Sequence, residues 1–260
     1  MFDDAKAALT VIEFYAYPII AFVFVGIFCR EVIAPASRNH CDRRWLILAT
    51  GLGVATVIVT LGIGYLFASF IRRNALIPAA TALSPLSAGV ASFFLTSFVF
   101  YWWHRATHKS DLLWRVFHQL HHSARRVEAL TAFFAHPLDS AAAVIISSFS
   151  SYIVLGASPL AAGIALLLTG VFDLFLHSDL RTPGWLGYIV QRPEMHTVHH
   201  KHGHHAQNYG LPIWDLLFGT WVNPSVRATE LGFDDPKSER IADMLVFQDV
   251  HKASDTSHPR

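Results

Sequence analysis

Charge is what this sequence lacks. Aspartate, glutamate, lysine and arginine make up 15% of its 260 residues, against about a quarter in a soluble globular domain. Hydrophobic residues reach 53%, so the missing charge implies burial in something larger than a protein core, and lipid supplies that. The formal net charge is only +1, and no basic stripe is interleaved with aromatics, which gives no case for nucleic acid as a partner. Cys29 and Cys41 are too few and too isolated for a disulfide scaffold or a thiolate metal site. Met1 to Lys6 lacks the basic start of a signal peptide, and no small-residue cleavage pattern follows it. No linker, repeat or low-complexity stretch points to a second domain.

Long apolar runs are plentiful. A helix needs about 20 apolar residues to cross the hydrocarbon core. Thr10 to Cys29 qualifies, with Glu13 at the interface, and Trp45 to Ile71 is long enough to tilt. Gly51, Gly53, Gly62 and Gly64 in that second run suit close helix contacts in lipid. A third run, Leu86 to Trp103, ends in the aromatic belt Tyr101, Trp102, Trp103. Ser140 to Gly156 and Pro159 to Leu176 are shorter and read as a transmembrane hairpin with both outer ends on one side. The expected fold is all-α: an integral membrane bundle of about four to five transmembrane helices. Basic residues mark the cytoplasmic side. Arg30, Arg38, Arg43 and Arg44 follow the first span, and Arg105, Lys109, Arg115, Arg125 and Arg126 follow the third. The segment from Arg181 to Arg260 adds more, whereas only Lys6, Arg72 and Arg73 fall on the opposite face. The amino terminus is therefore expected outside, and the region rich in histidine inside.

Histidine is the outlier, at 16 residues. The third span runs into His104-Arg-Ala-Thr-His108, whose imidazoles lie four apart on one helix face. His118-Gln-Leu-His121-His122 and His196-Thr-Val-His199-His200 follow. In each, the first and fourth positions share a face and the fifth turns about 100° further, so one group can feed two neighbouring ions. Eight imidazoles exceed the four ligands of a single zinc site. Two ions with open positions for oxygen fit better. His136, before Pro137, and His177, ending the fifth span, fall at the same membrane boundary. Each is read either as a ligand or as a structural histidine. Asp173, one turn before His177, is expected to accept a hydrogen bond from a ligand imidazole, or else to serve packing. His202, His204 and His205 read as cover for the third cluster; His40, His251 and His258 read as solvated. Imidazole suits iron, copper, nickel or zinc and not magnesium or calcium. A redox-active metal beside lipid points to attack on an unactivated C–H bond.

The series HRATH, HQLHH, AHPLD, FLHSD, P-x-x-H-x-x-HH, NYG and WDLLFGTW resembles the fatty acid hydroxylase/sterol desaturase superfamily, and within it the sterol desaturase-like branch. The resemblance runs from about Leu86 to Asn223. It implies three regions: 1–85 as membrane-anchoring helices, 86–223 as the catalytic domain with a cytosolic histidine-rich helical cap, and 224–260 as a tail. It further implies two iron ions held by His104, His108, His118, His121, His122, His196, His199 and His200, with His177 and His136 as additions. A lipid (sterol, fatty acyl or related) would be hydroxylated or desaturated with O2, or an ether lipid cleaved, and Trp102, Trp103 and Phe133 would line its site. Some relatives carry a fused cytochrome b5-like domain, for which this chain has no room. Electrons are then expected from a separate cytochrome b5-, ferredoxin- or reductase-like protein, docking near Arg125 and Arg126. The expected home is a bacterial inner membrane or the endoplasmic reticulum. The rival classes are a histidine-rich membrane metal-binding or transport protein, whose ligands belong near mid-membrane, and a haem-binding electron carrier, which does not need two H-x-x-H-H groups.

Overall fold

Serine followed by proline opens two of the long helices. Ser84 Oγ accepts the Ser87 N–H and Ser158 Oγ the Ala161 N–H, with Pro85 and Pro159 at the first helical positions. Proline has no N–H to lose there and its fixed φ suits the first turn. A third helix starts the same way with a different cap: His136 Nδ1 accepts the Leu138 N–H ahead of Pro137. The protein is described here from a computed structural model covering residues 15–37, 42–71, 75–77, 80, 82–204 and 206–252. Residues Thr10 to Phe14, Arg38, His40, Cys41, Arg72, Arg73, His205 and the end beyond Lys252 lie outside the described residues.

The long helices are α1 (Tyr17–Ile33), α2 (Arg43–Ile71), α3 (Pro85–Lys109), α4 (Pro137–Ser148, continued by a π turn, Phe149–Val154) and α5 (Pro159–Leu176). Short turns complete the chain, among them a π turn at Trp114–His118 running into Gln119–His122, then α6 (Pro193–His199) and α7 (Pro212–Leu217). Among the described residues there is no β-strand, only one isolated bridge between Lys201 and Leu231. The fold is all-α, as expected.

Four stretches are long and apolar enough to cross a membrane: Arg43–Gly64, Pro85–Lys109, Pro137–Val154 and Pro159–Leu176. Their outer faces leave Ile47, Ile58, Leu86 and Ile145 exposed. In water that surface would be a large apolar liability; in lipid it is an ordinary protein exterior. This is a membrane protein.

α3 and α5 run parallel and pack most closely. A Cβ added to Gly89 would lie 2.7 Å from Ile164 Cβ and 2.9 Å from the Ala161 carbonyl oxygen, so only glycine permits that approach. The glycines of α2 do not play this part. Gly51, Gly62 and Gly64 have nothing within 4 Å of an added Cβ, and Gly53 meets only Phe133, at 3.2 Å. The reason is position: α2 sits at the bundle's edge, against α4, with little of its surface covered. α1 lies along α5, and Glu31 near its end is buried, accepting the Asp179 N–H at 2.6 Å and the Ala129 N–H at 3.0 Å. α1, α3 and α5 therefore finish at one end of the bundle, where α2 and α4 begin. That end carries the histidines.

The chain beyond 223 is more than a tail. Phe233, Met244 and Val250 are buried with Trp45, Leu120 and Phe134 in an apolar cluster under this end. The Val250 N–H bonds Gln119 Oε1, and Gln119 Nε2 donates to the Gln248 carbonyl oxygen.

Candidate metal centre

Nine of the ten histidines singled out above converge into two groups. His104, His108, His118, His122 and His199 place one ring nitrogen each within 4.8 Å of one another, and so do His121, His177, His196 and His200. His104 and His108 come from the last turns of α3, His177 caps α5, and His196, His199 and His200 come from α6 and its cap. The expected division within the clusters is corrected. The first and fifth histidines of each H-x-x-H-H share a group (His118 with His122, His196 with His200), and the fourth crosses to the other group. A helix turns about 100° per residue, so positions four apart differ by about 40° and positions three apart by about 60°. The closer alignment wins in both clusters, as it does for His104 and His108. Near His118 the helix is also widened into a π turn.

In five of the nine, the second ring nitrogen fixes the proton position. Nδ1 of His104 is 2.7 Å from the Tyr209 carbonyl oxygen, that of His121 is 3.2 Å from Phe134 O, and that of His199 is 2.8 Å from Gln207 O. His177 Nδ1 lies 3.0 Å from Asp173 O and 3.2 Å from Asp173 Oδ1. His118 Nδ1 meets Asp139 Oδ2 at 3.1 Å. Carbonyls and carboxylates only accept, so each of these Nδ1 atoms donates and its Nε2 keeps a lone pair. Yet the Nε2 atoms face one another: His104 and His118 at 2.9 Å, His121 and His177 at 3.2 Å. His177 and His196 lie at 2.8 Å, His196 and His200 at 3.0 Å, and His122 and His199 at 3.1 Å. In the His104–His118 and His121–His177 pairs both Nδ1 atoms hold the proton, and two Nε2 lone pairs at that separation repel unless a cation lies among them. Imidazole nitrogens bind zinc at about 2.0–2.1 Å, which puts neighbouring ligands at right angles roughly 3.0 Å apart. The donor set thus fits a metal ion in each group.

Burial keeps the imidazoles in their ligating form. His121, His122, His196, His199 and His200 are held well below the usual value of 6.5, first by desolvation and then by repulsion from neighbouring imidazoles. They are neutral at neutral pH.

His136 joins neither group. Its Nδ1 caps α4 and its Nε2 lies 3.4 Å from the Leu245 carbonyl oxygen. Asp173 stands at the His177 ring with its side chain 48% exposed. His202 and His204 lie outside the groups, against Asp234 and Gln207. Arg125 and Arg126, expected as a docking surface, are paired within the chain. Arg125 meets Asp235, and Arg126 bonds Asp42 at 3.0 Å while lying over the Trp45 ring. Phe133 packs edge-on to Phe24, Trp103 to Phe117 and Trp102 to Phe218.

Two partners of the histidines went unassigned in the sequence. Asp139 sits in the first turn of α4, where an acidic residue has an ordinary reason to be, so AHPLD did not single it out. Asp215 is the other. Its carboxylate accepts the Tyr209 N–H at 2.9 Å, the Gly210 N–H at 3.2 Å and the Thr220 hydroxyl at 2.7 Å. It thereby secures the turn whose Tyr209 carbonyl orients His104. Burial pushes its carboxyl up to about 6 against those hydrogen bonds. Asn208 enters the turn at φ 56°, a left-handed conformation that asparagine tolerates. This accounts for Asn-Tyr-Gly and Trp-Asp accompanying the third cluster.

A helical bundle of membrane-spanning length with two histidine groups at one end defines a membrane protein built around a candidate metal centre. The chain belongs to the fatty acid hydroxylase family, which it matches over residues 89–220. It is 33% identical over 141 residues to ornithine lipid hydroxylase OlsE of Rhizobium tropici, covering 52% of this chain and 42% of that protein. It is 29% identical over 136 residues to the alkylglycerol monooxygenase of Homo sapiens, covering 50% and 30%. It is 30% identical over 149 residues to the very-long-chain aldehyde decarbonylase GL1-9 of Oryza sativa subsp. indica, covering 52% and 54%. The chain matches between about a third and about half of the length of these relatives. No solved structure matches it.

Proposed function

We propose that this protein is a di-iron, O2-dependent oxidoreductase that hydroxylates a membrane lipid at an unactivated C–H bond. The observation that carries the reading is the convergence of imidazole Nε2 atoms at 2.8 to 3.2 Å in two adjoining groups. Imidazole-only donors admit several metals, and Irving–Williams affinity alone favours copper; the family resemblance supports iron. A pair of iron ions supplies activation of O2 when bound. The chain's residues do the rest. His104, His108, His118, His122 and His199 would hold one ion, and His121, His177, His196 and His200 the other. Asp139, Asp173 and the Tyr209, Phe134 and Gln207 carbonyls hold the ring protons on Nδ1. Burial of the centre excludes water from the reaction.

Hydroxylation places one oxygen atom in the lipid and releases the other as water, consuming two electrons and two protons. A separate electron-transfer protein supplies the electrons on the cytosolic face. Similarity to the ornithine lipid hydroxylase favours hydroxylation. Similarity to alkylglycerol monooxygenases favours a second reading, in which hydroxylation beside an ether oxygen leads to cleavage. Purified protein is expected to contain close to two irons per chain; one haem, or no tightly bound metal, overturns the reading. His121→Ala should abolish lipid oxidation while leaving membrane insertion intact. Comparative lipidomics of cells with and without the chain separates an added oxygen from a cleaved ether or a lost pair of hydrogens.

A further inference from the structure

α3 carries one apolar stripe along its outer side. Leu86, Val90, Phe94 and Trp102 stand on it, spaced by multiples of four residues and all exposed; side chains four apart share a helix face. The stripe belongs to a membrane-spanning stretch, so it faces lipid. Phe98, the remaining position of the stripe, is covered by α7. The Trp214 ring lies edge-on to Phe98 at 5.1 Å, and Phe218, just after α7, lies 4.8 Å from the Trp102 ring. The Trp214 indole N–H donates to Ser97 Oγ at 3.0 Å. Phe98 precedes His104 by six residues, which puts it roughly 9 Å deeper along the helix axis. About 20 residues counted from Leu86 span the hydrocarbon core and reach as far as Arg105. α7 therefore rests on α3 at membrane depth.

Its composition suits that place. Between positions 206 and 226 the one charged residue is Asp215, which is buried and bonded within the chain. α7 leaves Ile213, Leu216 and Leu217 exposed. The turn Gly184–Tyr188 packs beside α7, and no charged residue falls between Arg181 and Arg192. It adds Trp185, Tyr188 and Ile189, which are 63% to 68% exposed. The Trp221 indole N–H ties this turn down through the Gly187 carbonyl oxygen at 3.1 Å. Six large apolar side chains with no charge among them are a poor surface for water, and tryptophan and tyrosine settle at membrane–water boundaries.

We propose that α7 and the Gly184–Tyr188 turn are seated in the lipid leaflet at the histidine end. Lipid is the occupant because this face continues the lipid-facing stripe of α3 through Phe94 and Trp102. The seat adjoins the five-histidine group. Tyr209, three residues before Pro212, holds its ring 5.5 Å from those of His104 and His108 and 5.6 Å from that of His199. The depth of α7 thus sets the depth of that group relative to the leaflet. The inference rests on the membrane reading of the bundle and stands whether or not the histidines hold metal.

The test is fluorescence quenching on full-length protein with Cys29→Ser and Cys41→Ser, carrying one bimane-labelled cysteine and reconstituted in phosphatidylcholine vesicles. A label at Leu217→Cys or Ile189→Cys should lose most of its fluorescence to brominated acyl chains and little to aqueous iodide. Leu112→Cys, exposed beyond the end of α3, should show the reverse. Strong iodide quenching at either of the first two positions overturns the proposal. So does protection from both quenchers, which would put a second copy of the chain on this face.

Discussion

The histidines differ in what holds their outer nitrogen, and that difference predicts how variants behave. His118 depends on the carboxylate of Asp139 alone, at 3.1 Å. His177 has two acceptors on Asp173, of which the backbone oxygen survives any substitution. Loss of such an outer partner typically costs 10- to 100-fold in metal affinity. Asp139→Asn is therefore expected to weaken metal retention by roughly that factor, since an amide can turn its NH2 toward the ring. Asp173→Asn should cost distinctly less. Chelator competition on the two purified variants checks the order; equal losses would reject it. Asp139 was hidden in the sequence because its partner lies 21 residues away, and the carbonyls of Phe134, Gln207 and Tyr209 carry no residue-type signature at all.

At the scale of elements, the site depends on how closely α3 and α5 approach, since both deliver histidines from their last turns. Gly89→Val would drive a side chain into Ile164 and the Ala161 backbone. Overpacking of this kind costs about 1–3 kcal/mol, and the strain acts on the pair of helices that carries His104 and His177. Gly62→Ala is the contrast: nothing lies within 4 Å, and removing a helical glycine is expected to stabilise by about 0.4–1 kcal/mol. Unfolding of both variants in mixed micelles checks the opposite signs. The apolar runs made each helix recognisable, but glycines alike in sequence could not be ranked. Whether a glycine serves a crossing depends on what lies opposite it, and nothing lies opposite Gly51, Gly62 or Gly64.

For the whole molecule the histidine end sets the response to acid. His121, His122, His196, His199 and His200 have folded-state values well below 6.5. Between those values and 6.5 the unfolded chain binds more protons than the folded one, so stability rises with pH across that window. The contribution is complete above 6.5 and is lost as pH falls below it. Protons also compete with metal for the same lone pairs, so metal release has the same sign. Thermal unfolding and retained metal, measured from about pH 7.5 down to about pH 5, should fall together; a protein more stable at the acid end would contradict the buried neutral centre. The sequence by itself determined that the chain is a membrane bundle and that its clustered histidines follow the apolar runs, because apolar run length and residue type are local properties. Only the tertiary structure decided which histidines stand together, since a 40° or 60° offset matters only against a partner from another helix. It also brought residues 231–250 beneath the centre and turned His136 away from it, because packing of distant segments leaves no local mark.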